Sequence, residues 1–101
     1  MNPDQTERYS RQIKLPQVGK IGQQQLLDAR VLIIGMGGLG SPVSMYLAAA
    51  GVGHLVISDY DRVDESNLQR QIVHTQASIN ELKATSARDT LLRLNPAVSV
   101  D

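Results

Sequence analysis

The sequence predicts an α/β fold: a Rossmann-like, doubly wound parallel sheet with helices on both faces. Three observations predict it. An apolar run, Val31 to Ile34, meets a glycine turn, Gly35-x-Gly37-x-x-Gly40, and an Ala-rich helical stretch comes next. A second apolar run, His54 to Ser58, ends in Asp59, 19 residues beyond Gly40. A further helical pattern then leads into the start of another strand, giving the order β-α-β-loop-α-β. Strands that alternate with crossover helices lie parallel and side by side.

Residues 1–29 read as a helical N-terminal arm and 30–101 as the β-α-β-loop-α-β unit. In the arm, Thr6 to Lys14 is charged and helical in pattern, and Pro16, Gly19 and Gly22 punctuate the stretch from Leu15 to Gly22. Gln23 to Ala29 is a short helix whose Leu26 and Leu27 dock while its glutamines face water. Val31 to Ile34 is continuously apolar, the pattern of a strand buried on both faces. The next helix runs from about Leu39 to Ala50. Pro42 sits in its first turn, where the missing N–H costs nothing, and Gly51 and Gly53 end it. Asp59 to Gln71 is a polar loop. From Leu82 to Leu94, Ala84, Ala87, Leu91 and Leu94 share one helical face, and Asn95-Pro96 terminates the pattern. "NPAVSVD" is a turn and the first residues of a strand with nothing after it to cover that strand. The expectation is an N-terminal part of a longer domain.

Composition sets limits. The chain has 101 residues and a 42% hydrophobic fraction; with no Phe or Trp and three Tyr, its core is aliphatic. Ten Lys and Arg against ten Asp and Glu leave no net charge, which disfavours a nucleic-acid partner. The absence of cysteine removes disulfides, thiolate metal sites and a cysteine nucleophile from these residues. The polar first twenty residues lack a signal-peptide pattern, and no apolar stretch is long enough for a bilayer. The default reading is a cytoplasmic protein with no membrane association.

The glycine turn is the first candidate site. Gly35 permits the tight turn, Gly37 lets a phosphate approach the backbone, and Gly40 lets helix and strand pack closely. The helix N-terminus offers free N–H groups and the positive end of its dipole. Asp59 stands where a carboxylate accepts hydrogen bonds from both ribose hydroxyls. This fingerprint is compatible with either NAD or ATP. A P-loop is excluded, since no GxxxxGK[ST] is present.

The loop beyond Asp59 bears on that choice. It carries Asp61, Asp64 and Glu65, then Ser66, Asn67, Leu68, Gln69, Arg70 and Gln71, and Lys83 opens the next helix. The pyrophosphate of NAD is neutralised mainly by backbone N–H groups. A triphosphate carries about two more charges and calls for cations such as Arg70 and Lys83. Each charged hydrogen bond contributes roughly 1.5–3 kcal/mol. Asp61 and Asp64 read as loop caps. His54 and His74 read as structural, Tyr46 as a core residue, and Tyr9 as either packing or dimer contact.

"RYSRQ" (Arg8 to Gln12), "GMGGLG" (Gly35 to Gly40), "YLAAAGVG" (Tyr46 to Gly53), "DYDRVDESNLQRQ" (Asp59 to Gln71) and Lys83 together resemble the ubiquitin-activating-enzyme-like adenylyltransferases of the ThiF/MoeB/HesA group. The resemblance implies binding of ATP and Mg²⁺ and adenylylation of the C-terminal glycine carboxylate of a small ubiquitin-like sulfur-carrier protein. It implies that Gly38 meets the nucleotide through its backbone and that Asp59 holds the ribose. Asn67, Arg70 and Lys83 would hold phosphates, with Asp61, Ser66, Leu68 and Gln69 lining the same loop. Arg11 would reach across a homodimer interface, joining Arg70 and Lys83 in the catalytic set. A carboxylate attacking an α-phosphate needs neutralised charge and in-line alignment, and no protein nucleophile. The family's metal-binding aspartate, its CxxC zinc pairs and its downstream cysteine have no counterpart here. The competing readings are an NAD-dependent oxidoreductase domain and a non-catalytic dimerising member.

Overall fold

The computed structural model describes all of residues 1–101. Three parallel strands, β1 (Arg30–Ile34), β2 (His54–Ser58) and β3 (Ser99–Val100), form one sheet in the order β1-β2-β3. The register pairs Val31 with Leu55 and Ile33 with Ile57, and Leu55 in turn pairs with Val100. Helix α4 (Gly40–Ala50) connects β1 to β2, and α5 (Lys83–Leu94) connects β2 to β3. Ahead of them, α1 (Pro3–Arg8), α2 (Ser10–Ile13) and α3 (Gly19–Asp28) make the N-terminal arm.

The core lies between the sheet and the α4–α5 pair. Ile33, Met36, Ala48, Leu55, Ala87, Leu91 and Val100 are among its ten buried members, with Val31 and Ile57 packed against them. Because side chains alternate along a strand, Leu32 and Ile34 point to the opposite face. They are 60% and 79% exposed. The burial of β1 on both faces that its composition predicts is therefore seen on one face only, since both crossover helices share that side.

Glycines set two close approaches. A side chain at Gly40 would overlap the carbonyl oxygen of Gly35, and one at Gly53 would overlap that of Leu27. The first lets α4 start directly against the end of β1. The second seats α3 at the foot of β2, where the Gly53 N–H donates to the Leu26 carbonyl at 3.0 Å.

The arm is tied down by the "RYSRQ" segment. Tyr9 is buried, and its hydroxyl accepts from Asn95 Nδ2 at 2.8 Å. Gln12 donates to the carbonyl of Ala50 at 2.9 Å and to Gln23 Oε1. Gln23 is fully buried and donates to the same Ala50 carbonyl at 3.1 Å. This corrects the reading of wet glutamines at Gln23, while Gln24 and Gln25 are exposed as expected: the last carbonyls of α4 lack helical partners, and the amides of Gln12 and Gln23 satisfy one of them. Tyr9 resolves to packing within the chain. Tyr46, in contrast, is 77% exposed, and Leu94 is 39% exposed. Their helices turn Ser44 and Ala48, and Ser86, Ala87 and Leu91, toward the sheet instead.

Candidate functional site

The carboxyl ends of β1 and β2 open onto a shallow cavity of about 280 Å³ lined by Ile34, Gly35, Ser58, Asp59, Tyr60 and Asp61. In open α/β sheets this end of the strands is the ligand-binding end. A larger cleft of about 600 Å³ lies between α1 and Pro96, away from the glycine turn.

Gly35 leaves β1 with φ +92°, a backbone conformation that strongly favours glycine. Its N–H still pairs with Ser58, at 2.7 Å. The chain then swings into α4, and the N–H groups of residues 37 to 40 have no acceptor in the protein. Gly38 is exposed, and space is open where its side chain would be. Four undirected N–H groups at a helix start form an anion cradle.

Asp59 bounds that cradle. Its Oδ2 accepts from the Met36 N–H at 2.7 Å and its Oδ1 from the Asp61 N–H at 2.8 Å. The carboxylate is thereby aimed before any ligand arrives. Asp61 does not cap the loop as the sequence predicts: its side chain is exposed and makes no hydrogen bond. Its contribution is its carbonyl, which accepts from the Lys83 N–H at 2.8 Å. Asp64 is the cap, accepting from the N–H and hydroxyl of Ser66 at 2.9 and 2.8 Å. Those two bonds hold its carboxyl below the ordinary value of 3.8.

From Asp64 the loop winds through a single 3₁₀ turn, Glu65–Asn67, and a further turn in which the Gln71 N–H donates to the Asn67 carbonyl at 2.9 Å. Ser66, Gln69 and Arg70 are exposed; Asn67 and Leu68 are half-buried. Arg70 folds back so that its guanidinium donates to Asn67 Oδ1 at 3.1 Å. A backbone clamp closes the loop: Val63 donates to Glu81, Asn80 donates to Val63, and Asn80 takes the left-handed conformation, φ +72°. Asparagine tolerates that region better than most residues.

Lys83 is 7% exposed and opens α5. Its side chain makes no hydrogen bond and no ion pair; the molecule's one ion pair is His54 with Asp101. Its charge depresses the pKa values of both Asp64 and His74, which places it among them. Its stem is packed inside, and its ammonium has no partner within the chain. Gln71 shows the same deficit: its Oε1 is buried with no donor, and its amide nitrogen is 3.6 Å from where a side chain at Gly37 would begin. The sequence pattern did not assign Gln71 to the site; only the winding of residues 64–71 reveals it. Arg11, on α2, is exposed and is not brought near these groups by contacts within the chain.

His74 closes the back of the site. It is buried, with Nε2 at 2.9 Å from the Met36 carbonyl and Nδ1 at 2.8 Å from Ser86 Oγ. Burial pushes its pKa below the ordinary 6.5; the bond to Met36 and the charge of Asp59 oppose this, and the charge of Lys83 adds to it. No group of three or more His, Asp or Glu side chains can hold a metal ion.

A glycine turn after β1, an acid at the end of β2 and crossover helices packed on a parallel sheet define a Rossmann-like α/β unit. The chain belongs to the ThiF family, whose model matches residues 9–101. It is 51% identical over 100 residues to the probable adenylyltransferase/sulfurtransferase MoeZ of Mycobacterium tuberculosis, covering 99% of this chain and 26% of that protein. It is 52% identical over 93 residues to the molybdopterin-synthase adenylyltransferase of Escherichia coli, covering 92% and 37%. Among solved structures, PaaA superposes with a TM-score of 0.92 at 34% identity, covering 100% of this chain and 33% of that one. Escherichia coli MccB with ATP superposes with a TM-score of 0.84 at 31% identity, covering 98% and 30%. The chain thus spans 26% and 37% of the length of these two curated relatives.

Proposed function

We propose that this chain carries most of the ATP-contacting half of an adenylyltransferase whose acceptor is the C-terminal carboxylate of a small ubiquitin-like sulfur-carrier protein. Two observations carry the reading together: the N–H groups of residues 37 to 40 are unpaired at the start of α4, and Lys83, which opens α5, makes no hydrogen bond or ion pair. A polyphosphate answers both deficits at once. Asp59 accepts from the ribose hydroxyls, and the N–H groups of residues 37 to 40 donate to phosphate oxygens. Lys83 supplies a fixed charge. Arg70 leaves Asn67 and adds a two-pronged donor, which frees Asn67 to reach the same oxygens. Asp61, Ser66, Leu68 and Gln69 shape the loop around them.

Transfer to the carrier's carboxylate brings two anions together, so the residues act by neutralising charge and fixing alignment. Lys83 and Arg70 stabilise the departing pyrophosphate. Arg11, exposed on α2, reaches a second copy's phosphates in a homodimer. Mg²⁺ carried by the ATP phosphates would neutralise charge on the departing pyrophosphate alongside Arg70 and Lys83; no cluster of three His, Asp or Glu side chains in this chain is arranged to hold it. Zinc sites, where relatives have them, would lie outside these residues.

Calorimetric titration of the chain with ATP·Mg and separately with NADH tests the reading. ATP binding that is lost in Lys83→Met supports it. Preference for NADH, or ATP binding indifferent to Lys83, overturns it in favour of an oxidoreductase domain or a non-nucleotide role.

A further inference from the structure

His74 links the glycine turn to α5. Its Nε2 bonds the carbonyl of Met36, the residue between Gly35 and Gly37. The N–H of that same Met36 donates to Asp59. Its Nδ1 bonds Ser86, which lies on α5 one turn beyond Lys83. A carbonyl can only accept, so Nε2 carries the proton, and Nδ1 accepts from the Ser86 hydroxyl. The run is unbroken: Ser86 O–H to Nδ1, Nε2–H to the Met36 carbonyl, Met36 N–H to Asp59. Neighbouring residues brace it. The Val73 N–H donates to Ser41 Oγ in the first turn of α4 at 2.7 Å, and Thr90 on α5 donates to the Val73 carbonyl at 2.6 Å.

Resting on the ATP reading, we propose that His74 is a positioning residue of the nucleotide site. Its imidazole, protonated on Nε2, holds the ribose acid, the phosphate-binding turn and the lysine-bearing helix in one fixed relation. It touches no substrate. Without it, the Met36 carbonyl is buried and unpaired, and the turn relaxes relative to α5. Asp59 and Lys83 then no longer face one ligand together.

Two variants separate this role from packing. His74→Gln puts an amide N–H where Nε2 donates; His74→Phe keeps the volume and removes both bonds. ATP affinity is measured for each by calorimetry, with folding checked by thermal melts. Long-range proton–nitrogen spectra report the imidazole tautomer, and with only His54 beside it, His54→Gln completes the assignment. The expected results are an Nε2–H tautomer at neutral pH, ATP binding weakened about tenfold in His74→Phe, and most of it restored in His74→Gln. Should His74→Phe not fold, Ser86→Ala takes its place, with the Nε2–H tautomer still held by the Met36 carbonyl, the link to α5 lost and ATP bound more weakly. Parent-like ATP affinity in His74→Phe, or in Ser86→Ala where it stands in, overturns the proposal. So does an Nδ1–H tautomer, or equal losses in Phe and Gln. A parent chain with the expected tautomer and no ATP binding instead overturns the ATP reading on which this one stands.

Discussion

At the scale of single residues, Lys83 and His74 make opposite demands. Lys83 packs its stem inside while its ammonium has no partner within the chain, so a bound anion would pair it. Met keeps the stem and removes the charge. Lys83→Met is expected to leave unfolding stability within about 0.5 kcal/mol while lowering ATP affinity about tenfold or more; urea melts and calorimetry read the two. His74 is buried in its neutral form, with its folded pKa below the unfolded 6.5. Below that value the unfolded chain binds the extra proton and the folded chain resists it, so stability is present above about pH 6.5 and falls as pH drops. Thermal melts from pH 8 to pH 5 are expected to show this slope, and His74→Gln is expected to flatten it. Asp64 adds a separate loss below about pH 3.8, in the same direction.

At the scale of elements, much was legible because glycine spacing and apolar runs report local geometry. The strand, turn and helix from Val31 to Ala50, the acid at Asp59 and the stop at Asn95 can each be read from a few neighbouring residues. Gly40 is the sharpest instance: any side chain there meets the Gly35 carbonyl. Gly40→Ala is expected to cost roughly 3 kcal/mol, as a lowered denaturation midpoint. What stayed hidden depends on long-range contacts. Gln71, Gln23 and Tyr46 have compositions that suggest one environment and tertiary neighbours that impose another. No local pattern discloses that residues 64–71 wind back to the turn, or that α4 rotates Tyr46 outward.

At the scale of the whole molecule, the uneven covering of the sheet has a physical consequence. Leu32 and Ile34 on β1 lie on a face that neither α4 nor α5 reaches. Contiguous exposed apolar surface promotes association. The chain is expected to self-associate with rising concentration in sedimentation experiments. The pair Leu32→Lys and Ile34→Lys is expected to suppress this with little change in melting temperature, because both side chains are outside the core.

Helix α4 bears the anion cradle at one end and the Ala50 carbonyl, gripped by Gln12 and Gln23, at the other. At 1.5 Å per residue its eleven residues make a rod about 16 Å long. Tilting such a rod by 5° about the gripped end moves the other end by roughly 1.4 Å, about half a hydrogen-bond length. The N-terminal arm therefore acts as the alignment screw of the far end of α4: a one-residue insertion in the Lys14 to Val18 connection would shift the unpaired N–H groups of residues 37 to 40.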